Sequence, residues 1–131
     1  MGRVIIDISV LILAERSGTT LARLIGEGDD AAVSAVSIAE LLVGVELAGP
    51  KHRPLRRAFI DKIAATFEVE PYDLSVTEAH AKLLAHARRT GRQRGGHDLI
   101  IAATAATHDR TVITLDARGF QDLPGVTFRT P

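Results

Sequence analysis

Arg3-Val4-Ile5-Ile6-Asp7-Ile8-Ser9 begins with one charge, continues through three β-branched aliphatic residues and ends on a carboxylate with a hydroxyl two residues beyond it. β-branched side chains suit a pleated, buried surface, so residues 3–7 read as a strand that stops at its acid. The next residues, Ser9-Val10-Leu11-Ile12-Leu13-Ala14, read as a helical turn or two following directly. A strand that passes at once into a helix cannot return as a hairpin. It is the first half of a crossover unit.

The same step recurs along the chain. Val33-Ser34-Ala35-Val36 precedes a helix that displays Glu40, and Val112-Ile113-Thr114-Leu115 ends on Asp116. Asp98 opens the apolar run Leu99-Ile100-Ile101-Ala102-Ala103. Between these landmarks, residues 19–27 read as an amphipathic helix with Leu21, Leu24 and Ile25 on one face, and residues 26–30 as a turn. Residues 31–36 read as a strand. A helix from Ser37 through Leu47 is stopped by Gly49-Pro50. Residues 54–67 form a helix and 67–72 a strand. Residues 77–89 form a helix ended by Gly91, 92–96 a loop and 98–107 an Ala-rich helix. Strands at 111–115 and 126–129 flank a turn or short helix at 117–123. Helices alternating with strands predict an α/β domain whose central sheet, of about five mainly parallel strands, is covered by helices on both faces.

A length of 131 residues suits one domain, 1–131, with a core that needs no staples. Aromatic residues are 4% of the chain, so the core is aliphatic, and cysteine is absent, which excludes disulfides, thiolate metal sites and a cysteine nucleophile. Sixteen basic and sixteen acidic side chains cancel, so a nucleic acid would be held by a local patch and not by a global field. No apolar run approaches bilayer length and the first residues lack a cleavage pattern. A cytoplasmic protein with no membrane contact is expected.

Each acid has a local reading beside a chemical one. Asp7 and Asp98 stand where a helix cap belongs, Ser37-Ile38-Ala39-Glu40 matches a capping box, and Asp116 suits a turn after a strand. The chemical reading is joint: parallel strands bring their carboxyl ends to one edge, where Asp7, Glu40, Asp98 and Asp116 would converge. Two carboxylates about 4 Å apart repel by roughly 4 kcal/mol at an effective dielectric of about 20. A cation offsets that, and all-oxygen ligands select Mg²⁺ or Mn²⁺ over Zn²⁺. Ser9 either orients a carboxylate or caps the helix.

Residues 86–97 carry Arg88, Arg89, Arg92 and Arg94 with no acid, and lead into Asp98. They read either as a solvated helix end or as a grip on phosphate, for which Arg is suited by its bidentate geometry. Lys51-His52-Arg53 with Arg56 and Arg57 reads as a solvated helix start.

In order, spacing and total length, four blocks resemble the PIN-domain ribonucleases, and within them the toxins of VapBC toxin-antitoxin pairs. The blocks are Val4 to Ile12, Ser37-Ile38-Ala39-Glu40-Leu41-Leu42-Val43-Gly44, Asp98 to Ala105, and Val112-Ile113-Thr114-Leu115-Asp116-Ala117-Arg118-Gly119-Phe120. The resemblance implies a PIN-like three-layer sandwich, an acidic quartet at Asp7, Glu40, Asp98 and Asp116, and a supporting hydroxyl at Ser9. It implies a Mg²⁺- or Mn²⁺-dependent endoribonuclease that cuts single-stranded regions of RNA, blocks translation, and is silenced by a cognate VapB-type antitoxin. It also implies a homodimer. In that scheme Asp7 and Asp98 coordinate the metal directly, Glu40 and Asp116 act through water, and Arg88, Arg89, Arg92 and Arg94 hold RNA. Two positions depart from the family pattern: Ile8 stands where Thr is usual, and Gly119 precedes Phe120 where many members have Asp.

Two other classes compete. A phosphoryl-handling α/β protein would use Asp7 as acceptor, but Ser9 stands where such a phosphatase wants a second Asp. A non-catalytic RNA- or protein-binding module would keep the fold and a structural metal. Leu21, Leu24 and Ile25, with Leu42, Val45 and Leu47, offer a further expectation: an aliphatic groove for an antitoxin helix.

Overall fold

The computed structural model describes residues 2–131. Its elements are β1 (Arg3–Ile6), α1 (Ile8–Ser17), α2 (Leu21–Leu24), β2 (Asp30–Ser34), α3 (Ala35–Leu47), α4 (Arg53–Thr66), β3 (Glu68–Glu70), α5 (Leu74–Thr90), α6 (Gly96–Thr107), β4 (Thr111–Ile113) and β5 (Phe128–Arg129), with a 3₁₀ turn at Ala117–Gly119. All four strand pairings are parallel, in the order β3-β2-β1-β4-β5. The expected α/β sandwich with a five-stranded sheet is what forms.

β1 is the central strand, and its Val4, Ile5 and Ile6 are buried because both sheet faces are covered. Alternation along it divides the core. Ile5 packs with Val112, Leu83, Leu99, Ala102 and Phe120 on the α5–α6 side. Val4 and Ile6 pack with Val10, Leu11, Leu41, Val45, Ile60 and Ile63 on the side of α1, α3 and α4. The register then builds the site: Ile6 lies beside both Val33 and Ile113, so the next residues on the three strands, Asp7, Ser34 and Thr114, meet at one carboxyl edge.

The structure corrects three local expectations. α3 begins at Ala35, capped by the Ser34 hydroxyl, which accepts from the Val36 N–H at 3.2 Å. Ser37 is therefore inside the helix and buried, and the capping box that would have occupied Glu40 does not form. α6 begins at Gly96 with Gly95 as its cap, so Asp98 lies in the first turn, where a carboxylate complements the helix dipole, and not at the cap. The helix expected over residues 19–27 closes after Leu24, since Asp29 turns the chain by accepting from the Gly26 N–H at 3.0 Å.

Shortening of α2 leaves an apolar groove of about 440 Å³ between α1, α2 and α4, lined by Ala14, Leu21, Ile25, Phe59, Ile63 and Phe67 among others. Its lining differs from the expected one. Val45 is spent in the core and Leu47 stands 82% exposed. Among the described residues no helix is long and apolar enough to cross a membrane.

Candidate active site

Asp7 follows β1, and its backbone N–H continues the sheet to the Ile113 carbonyl at 2.9 Å. It occupies the cap position of α1, but its side chain caps nothing. Instead Oδ2 accepts from the Ser9 hydroxyl and from the Thr114 hydroxyl, each at 2.8 Å. Oδ1 is buried without a hydrogen-bond partner, on a residue only 2% exposed. A buried, unpaired carboxylate oxygen costs several kcal/mol of lost solvation unless something else binds it. One oxygen is held by hydroxyls and the other has no partner.

The hydroxyls are themselves fixed. Ser9 Oγ accepts from the Leu115 N–H at 3.0 Å, and Thr114 Oγ1 accepts from the Asp116 N–H at 2.9 Å. Each therefore has its proton committed to Asp7. Of the two readings of Ser9, orienting a carboxylate is the one that the geometry shows. Thr114, fully buried, does the same and also ties the backbone of Asp116 to Asp7. Sequence reading missed Thr114, whose only mark is its place two residues before an acid.

Asp98 comes to the same edge from α6. Burial raises its carboxyl above the ordinary 3.8, and the nearby charges of Asp7 and Asp116 raise it further, while His97 and Arg94 oppose them. Its Oδ2 lies against two glycines: a Cβ added at Gly119 would come within 2.6 Å of it, and one at Gly95 within 3.1 Å. Asp116, exposed, borders the same space, with Oδ2 3.7 Å from that Gly119 position. Asp7, Asp98 and Asp116 thus converge, and among the described residues none of the three has a salt-bridge partner.

Glu40, on α3, stands at the rim with its side chain 27% exposed, in contact through Oε1 with His97 Nδ1. His97 is a second residue to which sequence reading gave no role. Among the described residues no three His, Asp or Glu side chains close on a common point as a finished metal cage does. The arrangement is an open one. That is the form suited to an ion that takes one or two carboxylates and keeps most of its waters.

The arginine segment divides. Arg94 is spent on structure, donating to the Arg118 carbonyl at 2.5 Å and the Gln121 carbonyl at 2.6 Å, and Arg92 is paired with Asp122 at 2.9 Å. Arg88 and Arg89 are exposed in the last turn of α5 and make no ion pair among the described residues.

This crossover sheet has counterparts among known proteins, and the profile of the PIN domain matches residues 4–126. The chain belongs to the PIN-domain family. Ribonuclease VapC5 of Mycobacterium tuberculosis is 35% identical to it over 112 residues, 86% of this chain and 82% of that protein. Ribonuclease VapC1 of Rickettsia felis is 28% identical over 127 residues, 96% of this chain and 94% of that protein. The crystal structure of VapBC-5 from M. tuberculosis, a member of the VapBC family of toxin-antitoxin systems, superposes with a TM-score of 0.82 at 30% identity over the whole of both chains. VapBC2 of R. felis, bound to a fragment of its promoter DNA, superposes at 0.87 over 98% of both chains. At 18% identity it shows the shared fold alone. On this PIN-domain scaffold the acids from β1, α3, α6 and the loop after β4 are brought to one edge of the sheet, with Glu40 at its margin.

Proposed function

We propose that this PIN-domain protein is a Mg²⁺- or Mn²⁺-dependent endoribonuclease of the VapC toxin type, cutting single-stranded RNA to block translation. The observation that carries the reading is the Asp7 carboxylate, one oxygen held by Ser9 and Thr114 and the other buried without a partner beside Asp98 and Asp116. The donor set is all oxygen and anionic, and fits a hard divalent cation. Asp7 and Asp98 would hold it directly, with Asp116 and Glu40 acting through water. When bound, such an ion supplies charge stabilisation at the scissile phosphate and eases ionisation of the attacking water.

The chain's own residues have separate tasks. Ser9 and Thr114 hold the Asp7 carboxylate in one orientation, so no reorganisation is needed as charge builds on the phosphate. Glu40, at the rim, orients the attacking water, and its contact with His97 limits its freedom to turn away. Arg88 and Arg89 are the cations free to meet RNA phosphates, whereas Arg92 and Arg94 act by fixing the loop that leads to Asp98.

The proposal includes a VapB-type antitoxin whose apolar segment lies in the groove between α1, α2 and α4. The VapBC complex of M. tuberculosis, whose matched chain is 30% identical, supports that choice of partner. It includes a homodimer, for which Val43, Leu47 and Leu55 stand exposed along α3 and the start of α4. A monomeric mass by light scattering would remove the dimer without touching the rest.

The purified protein is expected to cut RNA with Mg²⁺ or Mn²⁺ and to stop when a chelator is added. Chelator-resistant cleavage, or cleavage undiminished in Asp7→Asn, overturns the reading.

A further inference from the structure

We propose that Gly119 is a positioning residue, whose missing side chain provides the space in which the Asp98 carboxylate stands facing Asp7 and Asp116. The inference rests on the metal-binding reading above and goes beyond it. It concerns a position without any side-chain donor.

The space is tight on both sides. A Cβ at Gly119 would fall 2.6 Å from Asp98 Oδ2 and 3.1 Å from its Cγ, and one at Gly95 would fall 3.1 Å from the same oxygen. Contacts under about 3 Å between a methyl carbon and an oxygen lie well inside van der Waals separation, so something must move.

The backbone around Gly119 is pinned. Its N–H donates to the Asp116 carbonyl at 3.2 Å, Phe120 beside it is 1% exposed in the core, and Arg94 grips the carbonyls of Arg118 and Gln121. The backbone of Asp98 is pinned as well, inside α6 with Leu99 buried next to it and donating to the Gly95 carbonyl at 3.1 Å. The freest group is the Asp98 carboxylate, which turns by side-chain rotation alone. A substituent at 119 therefore costs the protein little of its fold and moves a ligand.

The direction of that move gives the inference its sharper form. An Asp at 119 adds a fifth carboxylate but evicts Asp98 from its place and adds like charge beside Asp116. In this chain Gly119→Asp is expected to weaken metal binding.

Calorimetric titration of Mn²⁺ into the full-length protein tests this, alongside melting curves without metal. Gly119→Ala is expected to bind Mn²⁺ about tenfold more weakly, the scale of losses on disturbing groups behind metal ligands, while its metal-free melting temperature stays near that of the unaltered protein. Gly119→Asp is expected to bind more weakly than the unaltered protein too. Unchanged affinity in Gly119→Ala, or tighter binding in Gly119→Asp, overturns the proposal while leaving the metal reading standing. An unaltered protein that takes up no Mn²⁺ overturns both. Should Gly119→Ala fail to fold, adding Asp98→Ala is expected to restore folding to the level of Asp98→Ala alone. Failure of that pair as well means that the methyl collides with something else, and overturns the proposal.

Discussion

The two ends of α6 treat buried charge in opposite ways. At its start, Asp98 shares a space with Asp7 and Asp116, and among the described residues no lysine or arginine pairs with any of them. Just past its other end, Arg110 is 3% exposed, and both of its terminal nitrogens meet acceptors, while its Nε is buried without one. Its Nη1 donates to the carbonyls of Val4 and Asp30 at 3.1 and 2.9 Å, and its Nη2 to Glu68 Oε2 and Glu70 Oε1 at 3.2 and 3.1 Å. His108 Nε2 lies 3.1 Å from the other oxygen of Glu70. One helix thus joins a cluster whose acids meet a cation to one whose acids meet none among the described residues. The first is held together by its own ion pairs, and the second has none.

The largest expected effect breaks the unpaired end. Asp98→Ala should lower RNA cleavage by more than the 10–100-fold that attends loss of a group behind a ligand, with no fall in melting temperature. Cleavage within tenfold of the unaltered protein would make the two ends equivalent after all.

Next in size is the paired end. Arg110→Met leaves Glu70, 6% exposed, without its main partner, and removing one member of a buried pair costs about 3–5 kcal/mol. Denaturant unfolding should show that loss, while the surviving folded fraction binds Mn²⁺ as before. An unperturbed unfolding midpoint would contradict the structural role given to Arg110.

A smaller change sharpens the site. Thr114→Val removes one of two donors to Asp7 Oδ2 and the acceptor of the Asp116 N–H, at a cost of about 1–3 kcal/mol in stability. Weaker Mn²⁺ binding should accompany it, and Thr114→Ser should recover most of both losses. If serine does no better than valine, the hydroxyl is not the operative group.

The smallest effect is one of sign, read by titrating stability against pH with metal removed. The Asp98 carboxyl is raised above 3.8 in the fold by burial first, and by Asp7 and Asp116 next. A proton held more tightly when folded means that stability falls as pH rises from 3.8 through the raised value and is level beyond it. Asp98→Asn should therefore melt a few degrees above the unaltered metal-free protein near neutral pH and lose that advantage in acid. Asp29 behaves oppositely. The Gly2 N–H, with Arg129 and the Gly26 N–H adding, lowers its carboxyl below 3.8, so its contribution is present above that value and lost as pH falls through the lowered one. An Asn variant at 98 that melts lower than the unaltered protein near neutral pH would refute the repulsion inferred at the site.

Much of this was legible in the residues. Strand-acid-helix steps at Asp7 and Asp116 specify an α/β crossover because burial on both faces demands unbroken aliphatic runs and parallel strands demand helices between them. That pattern, with the acids' positions at strand and helix ends, also put Asp7, Glu40, Asp98 and Asp116 at one edge of the sheet, where Asp7, Asp98 and Asp116 border one space and Glu40 stands at its rim. Helix ends were read less well at Ser37 and Asp98. Both stand in patterns that a cap also satisfies, and which residue caps depends on where the strand before it stops.

Other features came only from tertiary structure. The register that sets Ile6 beside Ile113 brings Thr114 to Asp7, and no periodicity marks a hydroxyl 107 positions away as a partner. Arg94 and Arg110 look in sequence like any other basic residues, yet each is committed to backbone or buried acids by contacts between distant segments. Gly119 shows the limit most plainly. Its part lies in the absence of atoms, and an empty volume has meaning only once the neighbour that fills it is in place.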